Sequence, residues 1–407
     1  MSRGLIKMGK NKIIIPGFQF CGIHAGIKES TRKKDLTLIY SDEPKTIIDG
    51  VFTTNKVVAA PVILCRSNLS HGKGRLIVIN SGIANACTGT QGMRDAKKTQ
   101  RVTSQLFGLN PKEVYVCSTG KIGEPLPMPR LLKGLKTAKG ELSEKSFLEA
   151  AKGIMTTDQY PKFDLMRGRI LGEDYTIAVL AKGAGMLRPN MATMLAFVVT
   201  DLRLNRATLK SIFREAVDQT LNRVTVDGDT STNDTVLMMA NGRAGNAFFS
   251  AQSVEGIKIK NELIHLLENM ARQIALDGEG ATKCCDVIVS GAKNRDDAKK
   301  VAYAIGNSPL VKTALFGCDP NWGRIMAAIG YSGAAVMQNK INIEMGSYQL
   351  VIKGESAGKF SPDEVSRYLK NKNITMKVHL GLGRGGFHVY MSDLTYDYIH
   401  LNAEYHT

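Results

Sequence analysis

No stretch of this 407-residue chain approaches the roughly 20 apolar residues that a membrane-spanning helix requires, so no membrane span is expected. The basic N-terminus, MSRGLIKMGKNKIIIPG, has an apolar run that stops at Pro16, too short for a signal-peptide core, and a cytosolic protein is the expectation. Aromatic residues make up only 6% of the chain, with a single Trp. The seven cysteines, Cys21, Cys65, Cys87, Cys117, Cys284, Cys285 and Cys318, are odd in number and form no CxxC pair. Reduced thiols fit that pattern best. The seven histidines show no HExxH spacing, so no structural metal is expected. No GxxxxGK[ST] occurs, which excludes a P-loop kinase.

Acidic residues are also comparatively few, 37 against 54 basic ones, giving a net charge of +17. Such a balance raises nucleic-acid binding as a rival function, with steeply salt-dependent affinity as its signature. The charge is dispersed, however. Its densest clusters, Lys7-Lys10-Lys12 and Lys370-Lys372, carry no interleaved aromatics. A generally basic surface suits small anionic substrates, and no nucleic-acid or membrane partner is expected. Hydrophobic residues at 43% and charged residues at 22% describe a globular chain, long enough for two or three domains or one large α/β unit.

Strand-like and helix-like segments alternate throughout. Arg75 to Asn80 reads as a buried strand running into a small-residue loop, Ser81 to Ala86. A helix follows over Met93–Phe107, closed by Gly108. Val114 to Cys117 is a short strand opening into Ser118-Thr119-Gly120-Lys121. Thr176 to Leu180 and Thr193 to Val199 read as strands flanking a glycine-rich loop. Leu209, Ile212, Phe213, Ala216, Val217 and Leu221 recur at helical spacing behind an Asn205 cap. Leu263 to Ile274 form a second helix, and Ser361-Pro362-Asp363-Glu364 reads as a capping box. The GxGxxG at Gly381 to Gly386 is followed by a strand-like segment, so it reads as a glycine-rich hairpin and not a dinucleotide site. The whole is α/β with mixed sheets.

The most informative run is KGAGMLRPNMATMLAFVVTD, Lys182 to Asp201. Ala192-Thr193 stands there between the glycine-rich loop and a buried strand. A Thr preceded by a small residue can attack its own upstream carbonyl and convert amide to ester. Hydrolysis then leaves Thr193 as an N-terminal residue, its hydroxyl beside an α-amine of pKa about 8. On local chemistry alone the same residues are an ordinary strand opening.

Other motifs accompany this run: GVFTTN at Gly50 to Asn55, Asn80-Ser81-Gly82 with NACTG at Asn85 to Gly89, and CSTG at Cys117 to Gly120. TVDGDTSTNDT at Thr225 to Thr235, GEGATK at Gly278 to Lys283, DPNWGR at Asp319 to Arg324 and NAEY at Asn402 to Tyr405 complete the set. In kind and order they resemble the ornithine acetyltransferase (glutamate N-acetyltransferase) family of arginine biosynthesis, over nearly the whole chain. Ile83 and Arg188 depart from the family pattern.

The resemblance implies an α/β sandwich of mixed sheets flanked by helices. It implies self-cleavage between Ala192 and Thr193 into an α chain, 1–192, and a β chain, 193–407, assembled as an α2β2 heterotetramer. Thr193 would carry an acetyl group from N-acetylornithine to glutamate by a ping-pong mechanism without a cofactor. Some members also accept acetyl-CoA. Thr119 and Gly120 match the family's oxyanion donors. Thr156, Lys182, Glu279, Asn402 and Thr407 match its substrate contacts, Glu279 also serving proton handling. The enzymatic alternative is an N-terminal-nucleophile aminopeptidase or amidohydrolase, in which water resolves the acyl-Thr.

Overall fold

The computed structural model describes residues 13–187, 194–358 and 360–404. Arg188, Ala192, Thr193 and Thr407 lie outside them. Two sheets stack in the first half of the fold. The first has four strands in the order Phe18–Ile23, Leu36–Ser41, Leu76–Ile83, Val114–Lys121. The second has five: Ile47–Phe52, Thr235–Ala240, Leu195–Thr200, Glu173–Lys182 and Lys162–Ile170.

The strands read as apolar runs because both of their faces are buried. Period-2 alternation divides each run between two cores. Ile77 and Ile79 pack between the sheets with Ala178, Leu180, Phe197 and Leu237. Leu76 and Val78 face outward instead, onto Leu131 and Leu135 of the helix Met128–Gly140. On the other side, Ile177, Val179, Ala196 and Val198 meet the helices Arg206–Gln219 and Val254–Leu276. Helix, sheet, sheet and helix are thus stacked as four layers. At about 1.5 to 3 kcal/mol per fully buried aliphatic or Phe side chain, this double burial dominates the fold's stability.

A third, seven-stranded sheet gathers Cys284–Ala292, Asn373–His379, Gly385–Ser392 and shorter strands, covered by helices including Arg295–Gly306 and Pro362–Leu369. Its glycine-rich segment is not a hairpin. Asn373–His379 and Gly385–Ser392 pair with opposite edges of Cys284–Ala292, so the link crosses over that strand. A Cβ on Gly385 would fall 2.2 Å from the Asn294 carbonyl oxygen, which is why glycine is needed there.

Helix starts and stops follow local chemistry. Asn205 accepts from the Thr208 N–H, and Gly108 closes the helix Gly89–Phe107 in the left-handed conformation. Val254–Leu276 runs nine residues further back than its apolar spacing suggests, from a Ser253 cap. Ser361 makes no side-chain cap bond, so the expected capping box is absent. Ser81-Gly82 and Ser118-Thr119-Gly120 are not loops: both lie inside strands, held by parallel pairing of Leu76–Ile83 with Val114–Lys121.

Candidate active site

That parallel pair ends in a bulge. Ile83 stands opposite both Thr119 and Lys121, and Gly120, opposite Gly82 where the register shifts, has φ +131°. Bulges re-aim side chains at sheet ends. A Cβ on Gly120 would lie 2.2 Å from the Gly82 carbonyl carbon, so only glycine fits. Thr119 and Gly120 face a cavity of about 150 Å³, which Thr156, Lys182, Glu279 and Asn402 also line. Six expected site residues, from five segments spread between positions 119 and 402, therefore share one cavity.

Lys182 ends the strand Glu173–Lys182, opposite Leu195, the second residue after Thr193. It is 4% exposed, and its Nζ donates to Thr119 Oγ1 at 3.1 Å. Burial lowers its pKa from the usual lysine value, partly offset by Asp158. With its oxygen accepting from the ammonium, the Thr119 hydroxyl has its own hydrogen left to donate.

Beneath the cavity lies a buried charge network that inspection of the sequence missed. Lys162, fully buried, bridges Asp158 (2.6 Å) and Asp277. Asp158 also accepts from the backbone N–H groups of Thr156 and Gly183, each at 2.8 Å. It thereby fixes the Thr156 turn and the loop after Lys182 together. Burial opposes its charge, but Lys162 and Lys182 outweigh that and hold it below the usual carboxylate range. Asp277 goes the other way, pushed up by burial against the opposing pull of Lys162. The Asp158–Lys162 spacing of four was a faint signal, masked because it spans the start of a strand. Lys28, pushed down to about 8 by burial, donates to the Met155 carbonyl at 2.6 Å and braces the same turn.

Glu279 follows the helix Val254–Leu276. Its N–H donates to Ala184 O at 2.8 Å, and its carboxylate accepts from Asn402 Nδ2 at 3.0 Å. A Cβ on Gly185 would sit 2.3 Å from Glu279 Oε2, so the carboxylate rests against that glycine. Thr395 Oγ1 donates to Gly280 O at 2.7 Å, docking the C-terminal helix Tyr396–Glu404 over the site. Asp227 and Asp229, also missed, line the rim with Tyr398. The Tyr398 hydroxyl is pushed up to about 12, first by burial and then by Asp227, Glu279 and Asp229. The cavity is bipolar, with a buried cation at one end and carboxylates at the rim. It suits an amino acid carrying an anion inward and a cation outward.

The ArgJ family model matches residues 19–407. This chain belongs to the ArgJ family. It is 47% identical over 393 residues to the arginine biosynthesis bifunctional protein ArgJ of Geobacter sulfurreducens, covering 97% of this chain and 100% of that one. The protein of the same description from Caldanaerobacter subterraneus is 46% identical, covering 97% and 98%. Among solved structures, ArgJ of Bacillus halodurans is 43% identical with a TM-score of 0.50, covering 51% of this chain and 98% of that one. Ornithine acetyltransferase of Mycobacterium tuberculosis, solved with ornithine, is 35% identical with a TM-score of 0.40, covering 45% and 97%. As an ArgJ member the chain is an acetyltransferase of arginine biosynthesis, which sets aside the aminopeptidase reading. No helix among the described residues is long and apolar enough to cross a membrane.

Proposed function

We propose that this ArgJ enzyme moves an acetyl group from N-acetylornithine to glutamate through an acetyl ester on Thr193, as a cytoplasmic protein cut into chains 1–192 and 193–407 that pair as an α2β2 assembly. The observation that carries this reading is the convergence of Thr119, Gly120, Thr156, Lys182, Glu279 and Asn402 on one cavity, beside the strand that follows Thr193. That about half of this chain covers 98% of the chain in the Bacillus halodurans structure supports a two-chain enzyme.

Each step asks for one of these groups. The freed α-amine of Thr193 takes the hydroxyl proton as the oxygen attacks the acetyl carbonyl. Thr119 O–H and the Gly120 N–H meet the tetrahedral oxyanion, a pair able to lower the barrier by several kcal/mol. Collapse breaks the C–N bond, and the proton passes to the leaving amine of ornithine. Glutamate then attacks the ester and the same steps run in reverse. Lys182 and Thr156 hold the α-carboxylate, and Glu279 with the rim carboxylates receives the cationic side chain of the donor. Asn402, and in the family pattern Thr407, close the site.

The curated relatives are described as bifunctional, which favours acetyl-CoA as a second donor that forms N-acetylglutamate. The test is a stopped assay of the wild type with glutamate and either donor. The reading expects N-acetylglutamate from both and little free acetate. Acetate without N-acetylglutamate would mean that water resolves the ester and would overturn it.

A further inference from the structure

Asp234, the penultimate residue of the TVDGDTSTNDT motif, does nothing in the transfer steps above. It is 2% exposed. Its Oδ1 accepts from the Met194 N–H at 3.0 Å, while Thr235 N–H donates to the Met194 carbonyl at 3.1 Å. Met194 is therefore clamped on both sides, and the parallel ladder begins one residue later, at Thr235 opposite Leu195. Asp234's own carbonyl accepts from Thr53 N–H at 3.0 Å. Its neighbour Asn233 ties Ser118 and Ala84 carbonyls, next to the cavity, at 2.9 and 2.6 Å. The backbone that carries the carboxyl is thus fixed from several directions.

Its second oxygen, Oδ2, is buried without a hydrogen-bond partner, the one such side-chain atom among the described residues. Leaving a buried polar atom unpaired is costly, typically about 1 to 3 kcal/mol, and a retained one calls for a reason. Burial also pushes the carboxyl well above its usual range, against the opposing pull of the Met194 N–H and Lys182, and so favours its protonated form. The residue before its partner Met194 is Thr193, and consecutive Cα atoms are only about 3.8 Å apart.

Resting on the self-cleavage reading, we infer that Asp234 is the positioning and proton-delivering residue of maturation: it fixes the backbone following Thr193 and supplies the proton that the departing nitrogen needs. In the shift, the Thr193 oxygen forms a bond to the Ala192 carbonyl carbon. The C–N bond breaks. Asp234 gives its proton to that nitrogen, and the proton released by the hydroxyl restores the acid. Water then adds to the ester carbon, the C–O bond breaks, and the hydroxyl regains a proton from the water.

Asp234→Asn keeps size and the acceptor for Met194 but carries no acidic proton. Freshly expressed chains are followed by intact mass over time and pH, beside thermal melting and transferase turnover per cleaved chain. The expected result is cleavage slowed at least 10-fold, with a changed pH profile, unchanged melting and near-normal turnover of whatever is cleaved. Asp234→Glu, which retains an acid, should restore part of the rate. If Asp234→Asn does not fold, Asp234→Ser offers an acceptor without an acid and should cleave equally slowly. Wild-type cleavage in any folded variant lacking the acid overturns the inference alone. A wild type that is itself never cleaved overturns the self-cleavage reading instead, and this inference with it.

Discussion

Lys182 Nζ donates to Thr119 Oγ1 at 3.1 Å, joining the residue proposed to hold the substrate carboxylate to the one proposed to meet the oxyanion. On that proposal a single ammonium serves both binding and the transition state. Charge-assisted hydrogen bonds contribute about 1.5 to 3 kcal/mol. Lys182→Met should raise KM for N-acetylornithine and for glutamate by roughly 10- to 100-fold and also lower kcat, because Thr119 loses its orienting partner. Steady-state kinetics in both half-reactions checks this; a rise in KM with unchanged kcat would separate the two roles.

Thr119→Ala removes one proposed oxyanion donor while leaving the buried strand intact. Turnover should fall by about 10²- to 10³-fold, the cost measured for such donors elsewhere. KM should move little. Single-turnover acetylation followed by mass spectrometry reads the chemical step directly.

The Asp158–Lys162–Asp277 network predicts a different phenotype. Asp158→Ala leaves the fully buried Lys162 ammonium with Asp277 alone and frees both the Thr156 and Gly183 backbone groups. Breaking a buried ion pair from one side costs about 3 to 5 kcal/mol. Denaturant unfolding should show that loss, and substrate affinity should fall with it. Equal loss of affinity without loss of stability would mean the network acts only on the site.

Asp201 gives a pH signature away from the cavity. It is 3% exposed, burial pushes its pKa up to about 6, and its Oδ1 accepts from Thr176 N–H at 2.7 Å. A raised carboxyl favours the fold while protonated. That contribution is full below the unfolded value of about 3.9 and is lost as pH rises through about 6. Stability attributable to this group should therefore decline by on the order of 2 to 3 kcal/mol between pH 4 and 7. Asp201→Asn keeps the acceptor and should flatten that part of the wild-type curve, as measured by denaturation across pH.

Much of this was readable in advance, for physical reasons. Strands buried on both faces read as continuous apolar runs, as at Leu76 to Ile79, so the strands were legible, while the layers followed only from the family resemblance. Six expected site residues, Thr119, Gly120, Thr156, Lys182, Glu279 and Asn402, were legible through motif resemblance and line one cavity, while Thr193 and Thr407 lie outside the described residues. What local patterns misjudged depended on partners distant in sequence. Ser118-Thr119-Gly120 reads as a turn but is held in a strand by Ser81-Gly82-Ile83. Gly381 to Gly386 reads as a hairpin but spans a central strand 90 residues earlier in the chain, a pairing no local window contains. Lys162 and Asp277 reveal themselves only as a bridge across 115 positions.

The central claim is that Thr193 becomes a chain terminus and the acetyl carrier. Intact mass of the purified wild type beside Thr193→Ala tests it most directly. The account predicts two chains of roughly half length in the wild type, the second starting at Thr193 and gaining one acetyl group with N-acetylornithine, and a single uncut chain in the variant. A wild type that stays whole yet transfers acetyl groups would contradict it.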